Sequence, residues 1–305
     1  MTHLSNKKIY LLGLGALGGL IAAKLHDAFP GSVKIIADEK RQQAIQGSGL
    51  TVNGKAINFQ FITPGTGHGE ADLVIVAVKN AQLQQAIQDI KSFIGNDTVV
   101  ISLLNGISSE EIIGDEIGHE HLLYAYGVGM DAVRKSTEIR YTNPGKIVFG
   151  EKDNHELSDR VKFVKELFDK AQMPYNIPVD MKRALWSKFM MNTGINQASA
   201  VLKAPYGAFH VPGEAYDLML AAAGEVMELS THYGVNLGQA DVDDFLKILN
   251  TLDPAGKTSM LQDVEAGRET EVDLFAGTVL AMGKPYNLHA PVNEMLYKKI
   301  KSLNE

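Results

Sequence analysis

The sequence predicts an α/β chain: an N-terminal doubly wound parallel sheet followed by an all-helical C-terminal domain. Three observations carry that expectation. Short apolar runs alternate with helix-patterned stretches through the first half. A glycine-rich loop joins the first apolar run to the first helical stretch. Beyond Asp180 helical periodicity dominates and strand signals become few.

The elements follow in order. Residues 8–12 form a short apolar strand, 16–28 a helix, 32–37 a second strand and 39–46 a polar helix. Residues 50–62 are β-like, with a turn at Asn53-Gly54. Residues 72–78 are a continuous apolar run of the kind buried on both faces of a parallel sheet. An amphipathic helix at 81–93 and a buried strand at 98–103 come next. Residues 121–150 read as β-rich with a turn at Pro144-Gly145, and 155–171 as the last helix of this half. Pro174 and Pro178 mark a boundary, giving domains at 1–178 and 179–305. The second domain has helical stretches at 181–202, 214–233, 242–252 and 259–282, and Pro291 opens a last helix.

Composition narrows the function. A chain of 305 residues, 45% hydrophobic, has material for two cores. A net charge of −7 opposes broad binding to nucleic acid or to an anionic membrane, but not to a small anion held by a few cations. With no cysteine, disulfides, thiolate metal sites and Cys nucleophiles are excluded. Lys7 and Lys8 precede an apolar run at 9–23 that superficially resembles a signal peptide. The run is too short and too rich in glycine to span a membrane, so the expectation is a soluble, cytoplasmic protein. His119-Glu120-His121 is read as a solvated loop, and no metal site is expected.

Gly13-Leu14-Gly15-Ala16-Leu17-Gly18 follows a strand and opens a helix, as a Rossmann-type dinucleotide site requires. Gly13 permits the tight turn, Gly15 lets a pyrophosphate approach the backbone, and Gly18 lets helix and strand pack closely. The helix N-terminus offers N–H groups and a favourable dipole to the phosphates. Asp38 lies 20 residues beyond Gly18 (38 − 18), where a carboxylate accepts from the ribose 2′-OH of NAD. Lys40 and Arg41 follow, and either would suit the 2′-phosphate of NADP. All three also fit solvated surface charge, so NAD and NADP both stay open.

Lys188, Asn192 and Asn196 recur at i, i+4 and i+8 in an otherwise apolar helix, which puts them along one face. Buried Lys and Asn need partners, from the protein or from a ligand bearing carbonyl, carboxylate or hydroxyl groups. Ser259 enters or caps a helix with Gln262 at the capping-box position. Glu271 is 12 residues further (271 − 259), about three helical turns, and so is expected near the same face. Asp263, Glu265, Arg268 and Glu269 are read as surface charge.

The glycine loop, Val78-Lys79, Leu104-Asn105-Gly106, the Lys188/Asn192/Asn196 helix, and Ser259-Met-Leu-Gln-Asp263 with Thr270-Glu-Val-Asp273 together resemble the ketopantoate reductase family, in the same order and over nearly the whole chain. That family reduces the 2-keto group of ketopantoate with NADPH, giving pantoate for pantothenate and coenzyme A synthesis. The resemblance implies that Lys188 is the catalytic acid, supported in its charged form by Glu271. It implies that Asn192, Asn196 and Ser259 hold the substrate, that Asn105 lies between cofactor and substrate, and that Lys79 lies near the nicotinamide. Three positions depart from the family pattern. The usual Asn-Pro-Leu-Thr-Ala run is Asn196-Gln-Ala-Ser-Ala200, Tyr206 stands where a substrate-contacting Asn occurs, and Asp38 stands where a basic residue is common. These bear on the identity of the 2-keto acid and on cofactor preference. The competing readings are an NADH-dependent D-2-hydroxyacid dehydrogenase acting on another branched 2-keto acid, and a non-catalytic dinucleotide sensor. A homodimer is admitted, with oligomeric state otherwise open.

Overall fold

The computed structural model describes Leu4 and residues 6–303, in two compact units. The first comprises residues 1–104 and 108–181, and the second 105–107 and 182–305. Asn105, Gly106 and Ile107 thus belong with the helical unit although they lie only a few residues beyond a sheet strand in the chain.

In the first unit the chain runs β1 (Ile9–Leu12), α1 (Ala16–Ala28), β2 (Val33–Ile36), α2 (Glu39–Ser48), β3 (Thr51–Val52), β4 (Lys55–Ala56), β5 (Gln60–Ile62), β6 (Leu73–Val76), α3 (Leu83–Lys91) and β7 (Val99–Ser102). It continues with α4 (Ser109–Ile117), β8 (Leu122–Met130), β9 (Val133–Lys135), β10 (Glu138–Arg140), β11 (Pro144–Gly150), α5 (Asp159–Lys170) and β12 (Tyr175–Asn176). Among the described residues eight strands form one sheet in the order β12-β11-β8-β7-β6-β1-β2-β5. Every pairing is parallel except β8 with β11. The remaining four make a small sheet, β4-β3-β10-β9.

Burial explains the continuous apolar runs. In β1, Ile9 and Leu11 point into one core with Ile21 and Leu25 of α1 and Phe168 of α5. Tyr10 and Leu12 point into the opposite core with Ile87 and Ile90 of α3 and Ile113 of α4. A strand covered on both faces has no use for a polar alternate residue.

In this first unit the structure corrects three sequence expectations. Residues 104–120 carry no predicted element, yet α4 lies there; its interior Gly114 weakens the helical signal. A Cβ there would come 2.3 Å from His119 Nδ1, so a larger residue would displace that exposed imidazole. Pro144-Gly145 is not a turn but the start of β11, with Pro144 opposite Met130. At a strand's first residue the missing N–H is tolerated. His121 is buried rather than solvated, its Nδ1 3.0 Å from the Thr98 carbonyl.

The helical unit contains α6 (Met181–Leu202, its first residue in the sheet unit), α7 (Glu214–His232), α8 (Gln239–Leu249), α9 (Ser259–Glu265), α10 (Ala276–Gly283) and α11 (Pro291–Ser302). The predicted helix at 259–282 is broken in two. α9 ends at Glu265, Gly267 adopts a left-handed φ of 62°, and a single 3-10 turn at Val272–Leu274 precedes α10. Among the described residues no helix is long and apolar enough to cross a membrane.

Candidate active site

The glycine loop shows how each glycine is used. Gly13 has a φ of 104°, and a Cβ on it would lie 2.4 Å from the Ala77 carbonyl. A Cβ on Gly18 would lie 1.9 Å from the Gly13 carbonyl, so α1 could not pack against the turn. Around Gly15 nothing lies within 4 Å of such an atom, so the space beside the helix N-terminus is open. The first turn of α1 carries neither a side-chain cap nor an acidic residue. Its N–H groups are therefore available to an anion, and the dipole favours one there. These residues fit the pyrophosphate of a dinucleotide.

Beyond β2, Asp38 is the N-cap of α2 and accepts from the Arg41 amide at 2.7 Å. Lys40 and Arg41 are exposed in the first turn. Lys79 is exposed where the chain leaves β6, directly before the 3-10 turn Asn80–Gln82.

In the helical unit, α6 is continuous through Lys188, Asn192 and Asn196, so the three share a face. Asn196 is satisfied by the protein: its Nδ2 donates to the Asn192 carbonyl at 3.2 Å and its Oδ1 accepts from Ser259 Oγ at 3.3 Å. Asn192 is 7% exposed, yet among the described residues its carboxamide has no hydrogen-bond partner. Lys188 keeps part of its surface accessible, but burial of its ammonium lowers its pKa to about 8. Burial alone accounts for that shift, with no contribution from Glu271.

Glu271 is instead hydrogen-bonded to Asn105, whose Nδ2 donates to Oε2 at 2.9 Å. It reaches this place from the turn before α10, not from the helix of Ser259. Thr258, not Ser259, caps α9, its hydroxyl accepting from the Leu261 amide at 3.1 Å. That leaves the exposed Ser259 at the first helical position, free to pair with Asn196. Asp263 is not simple surface charge: its side chain is 14% exposed and is paired with Arg268 at 2.7 Å.

Residues 9–154 match the family described as ketopantoate reductase PanE/ApbA, and residues 180–304 match its C-terminal domain. The chain belongs to the ketopantoate reductase family. Members of this family are NAD(P)-dependent oxidoreductases. The 2-dehydropantoate 2-reductase of Vibrio cholerae is 28% identical over 300 residues, covering 97% of this chain and 98% of that one. An uncharacterized oxidoreductase of Bacillus subtilis, YkpB, is 26% identical over 298 residues, covering 96% and 97%. D-mandelate dehydrogenase, solved with NADH and anilino(oxo)acetate, shares the fold with a TM-score of 0.85 at 22% identity, covering 97% and 98%.

The departures of this ketopantoate reductase family member have structural accounts. Gln197 replaces the usual proline inside α6 and joins a buried polar network. Its Nε2 donates to the Thr193 carbonyl at 2.8 Å and to Asn293 Oδ1 at 3.0 Å, and its Oε1 accepts from the Ala276 amide at 3.2 Å. Asn293 in turn donates to Glu225, which accepts from the Val292 and Asn293 amides at the start of α11. One glutamine thus ties α6 to the N-termini of α10 and α11. Sequence reasoning missed this network because its members lie far apart in the chain. Tyr206 opens a 3-10 turn, and burial raises the pKa of its hydroxyl.

Proposed function

We propose that this protein reduces the 2-keto group of ketopantoate with NADPH to give (R)-pantoate, for pantothenate and coenzyme A synthesis in the cytoplasm. The observation that carries the reading is the α6 stripe. A largely desolvated ammonium with no carboxylate partner and a carboxamide with no protein partner share one helix face, both still open to a ligand. Donors that the protein leaves unpaired in a partly desolvated place are suited to the oxygens of a 2-keto acid.

The cofactor supplies a hydride to the ketone carbon when bound. As the ketone oxygen gains charge, Lys188 stabilises it and delivers the proton. With a pKa of about 8, Lys188 is mostly protonated at neutral pH and still gives up its proton readily. Asn192 orients the substrate through its unpaired carboxamide, and Asn196 and Ser259 present an already hydrogen-bonded pair to the same ligand. Glu271 fixes the carboxamide of Asn105, the residue proposed to lie between cofactor and substrate. We place Gly13–Gly18, Lys79 and the Asp38–Arg41 turn at the cofactor.

The likeness in fold to D-mandelate dehydrogenase and the carboxylate of Asp38 favour a second reading, in which NADH reduces another branched 2-keto acid. Incubation with ketopantoate and NADPH followed by chiral chromatography separates them. (R)-pantoate formed in equal amount to the NADPH consumed is expected; absence of pantoate while 2-ketoisovalerate is reduced would overturn the proposal.

A further inference from the structure

We propose that Arg134, on the β9–β10 hairpin, forms with Arg41 a two-guanidinium clamp for the adenosine 2′-phosphate of NADPH. This rests on the dinucleotide reading of the glycine loop and names the residues that choose between the two nicotinamide cofactors.

The hairpin delivers Arg134 to the loop from far away in sequence. One guanidinium nitrogen, Nη1, donates to the carbonyl of Leu14, the residue between Gly13 and Gly15. Nε donates to the Ser136 carbonyl at 2.9 Å. The small sheet holds the hairpin firmly against α1. Ile139 of β10 lies so close that a Cβ on Gly19 would come within 2.1 Å of its Cδ1. β10 also pairs with β3, where Asn53 exchanges hydrogen bonds with the Tyr141 backbone at 3.0 and 2.9 Å. A half-buried guanidinium is therefore pinned beside the glycine loop by two carbonyls. Of its five N–H donors, two are used, and the rest remain for an acceptor.

Arg134 has no carboxylate partner among the described residues, and neither does Arg41. The two positive charges sense one another: the Arg134 pKa is lowered first by burial and then by the charge of Arg41. Two guanidiniums within electrostatic reach of one another and without a carboxylate partner repel, and an anion bound at both relieves that repulsion. Their planar forks match phosphate oxygens. Asp38, the carboxylate that would repel such a phosphate, already accepts from the Arg41 amide as the cap of α2. The glycine loop holds the pyrophosphate, and the end of β2 faces the adenosine ribose. A phosphate on the ribose 2′-oxygen is therefore the group that meets Arg41 on one side and Arg134 on the other.

Calorimetric titration of the whole protein with 2′,5′-ADP, 5′-ADP, NADPH and NADH tests this without any keto acid, so it is independent of substrate identity. Arg134→Met and Arg41→Met are each expected to weaken 2′,5′-ADP and NADPH by about tenfold or more, with less than a twofold change for 5′-ADP and NADH. Equal weakening of all four would put the pair on the pyrophosphate and overturn the assignment, as would unchanged binding of NADPH. Because Arg41 is exposed, Arg41→Met keeps the test decisive if Arg134→Met does not fold. Failure of wild type to bind any of the four would overturn both the clamp and the dinucleotide reading.

Discussion

Replacing Lys188 by methionine removes a charge that the fold desolvates and does not pair. Burial lowers this ammonium from 10.5 to about 8, a difference of about 2.5 (10.5 − 8). At roughly 1.4 kcal/mol per pH unit this is at most about 3 kcal/mol of destabilisation, and partial accessibility reduces it to about 2 kcal/mol. The sign follows from linkage. Below pH 8 both folded and unfolded chains carry the proton, so the folded state bears the whole penalty. Between pH 8 and 10.5 the folded chain is deprotonated while the unfolded chain is not, and the penalty shrinks; above 10.5 it is gone. Lys188→Met is therefore expected to be more stable than wild type by about 2 kcal/mol at pH 7, to converge with it near pH 10.5, and to lose most turnover. Urea denaturation of both proteins at pH 7 and at pH 10, followed by helical circular dichroism, reads the difference. A variant no more stable than wild type at pH 7 would refute the reasoning, because it would mean that the ammonium is compensated by the protein.

Other consequences can be tested alongside. In the reductive direction kcat/KM should be level below pH 8 and fall about tenfold per pH unit above it, as Lys188 loses its proton; a rate that climbs through pH 8 would exclude Lys188 as the acid. Asn105→Ala and Glu271→Ala remove the same hydrogen bond, so the double variant should lose clearly less than the sum of the single losses in log kcat, and additive losses would uncouple the pair. Thr258→Ala deletes the cap of α9 and should lower stability by about 1 kcal/mol, with unchanged denaturation as the contrary result. Gly13→Ala introduces a Cβ at a φ of 104° against the Ala77 carbonyl and should abolish nucleotide binding as read by NADPH fluorescence; normal binding would show that the turn can relax.

Much of this was legible in the sequence because it is local. The glycine spacing, the strand before it and the helix after it are adjacent in the chain, and α1 runs from Ala16 to Ala28 as the pattern predicts. The Lys188 stripe was legible for the same reason, since an unbroken helix turns spacing directly into a shared face. Periodicity failed where a break between helices left the apolar pattern intact. Residues 259–282 keep helical spacing across Gly267, so the break, and with it the true position of Glu271, could not be read. Long-range partners left no signal at all. Nothing near Asn105 points to Glu271, and nothing near Leu14 points to Arg134. Gln197 was legible only as a departure from the family pattern; its bonds to Asn293 and Ala276 explain it.

The most direct test of the account is initial-rate NADPH and NADH oxidation, each measured with ketopantoate and with 2-ketoisovalerate. The account predicts the highest kcat/KM for ketopantoate with NADPH, and loss of that activity in Lys188→Ala. Faster reduction of 2-ketoisovalerate, a preference for NADH, or full activity in Lys188→Ala would contradict it.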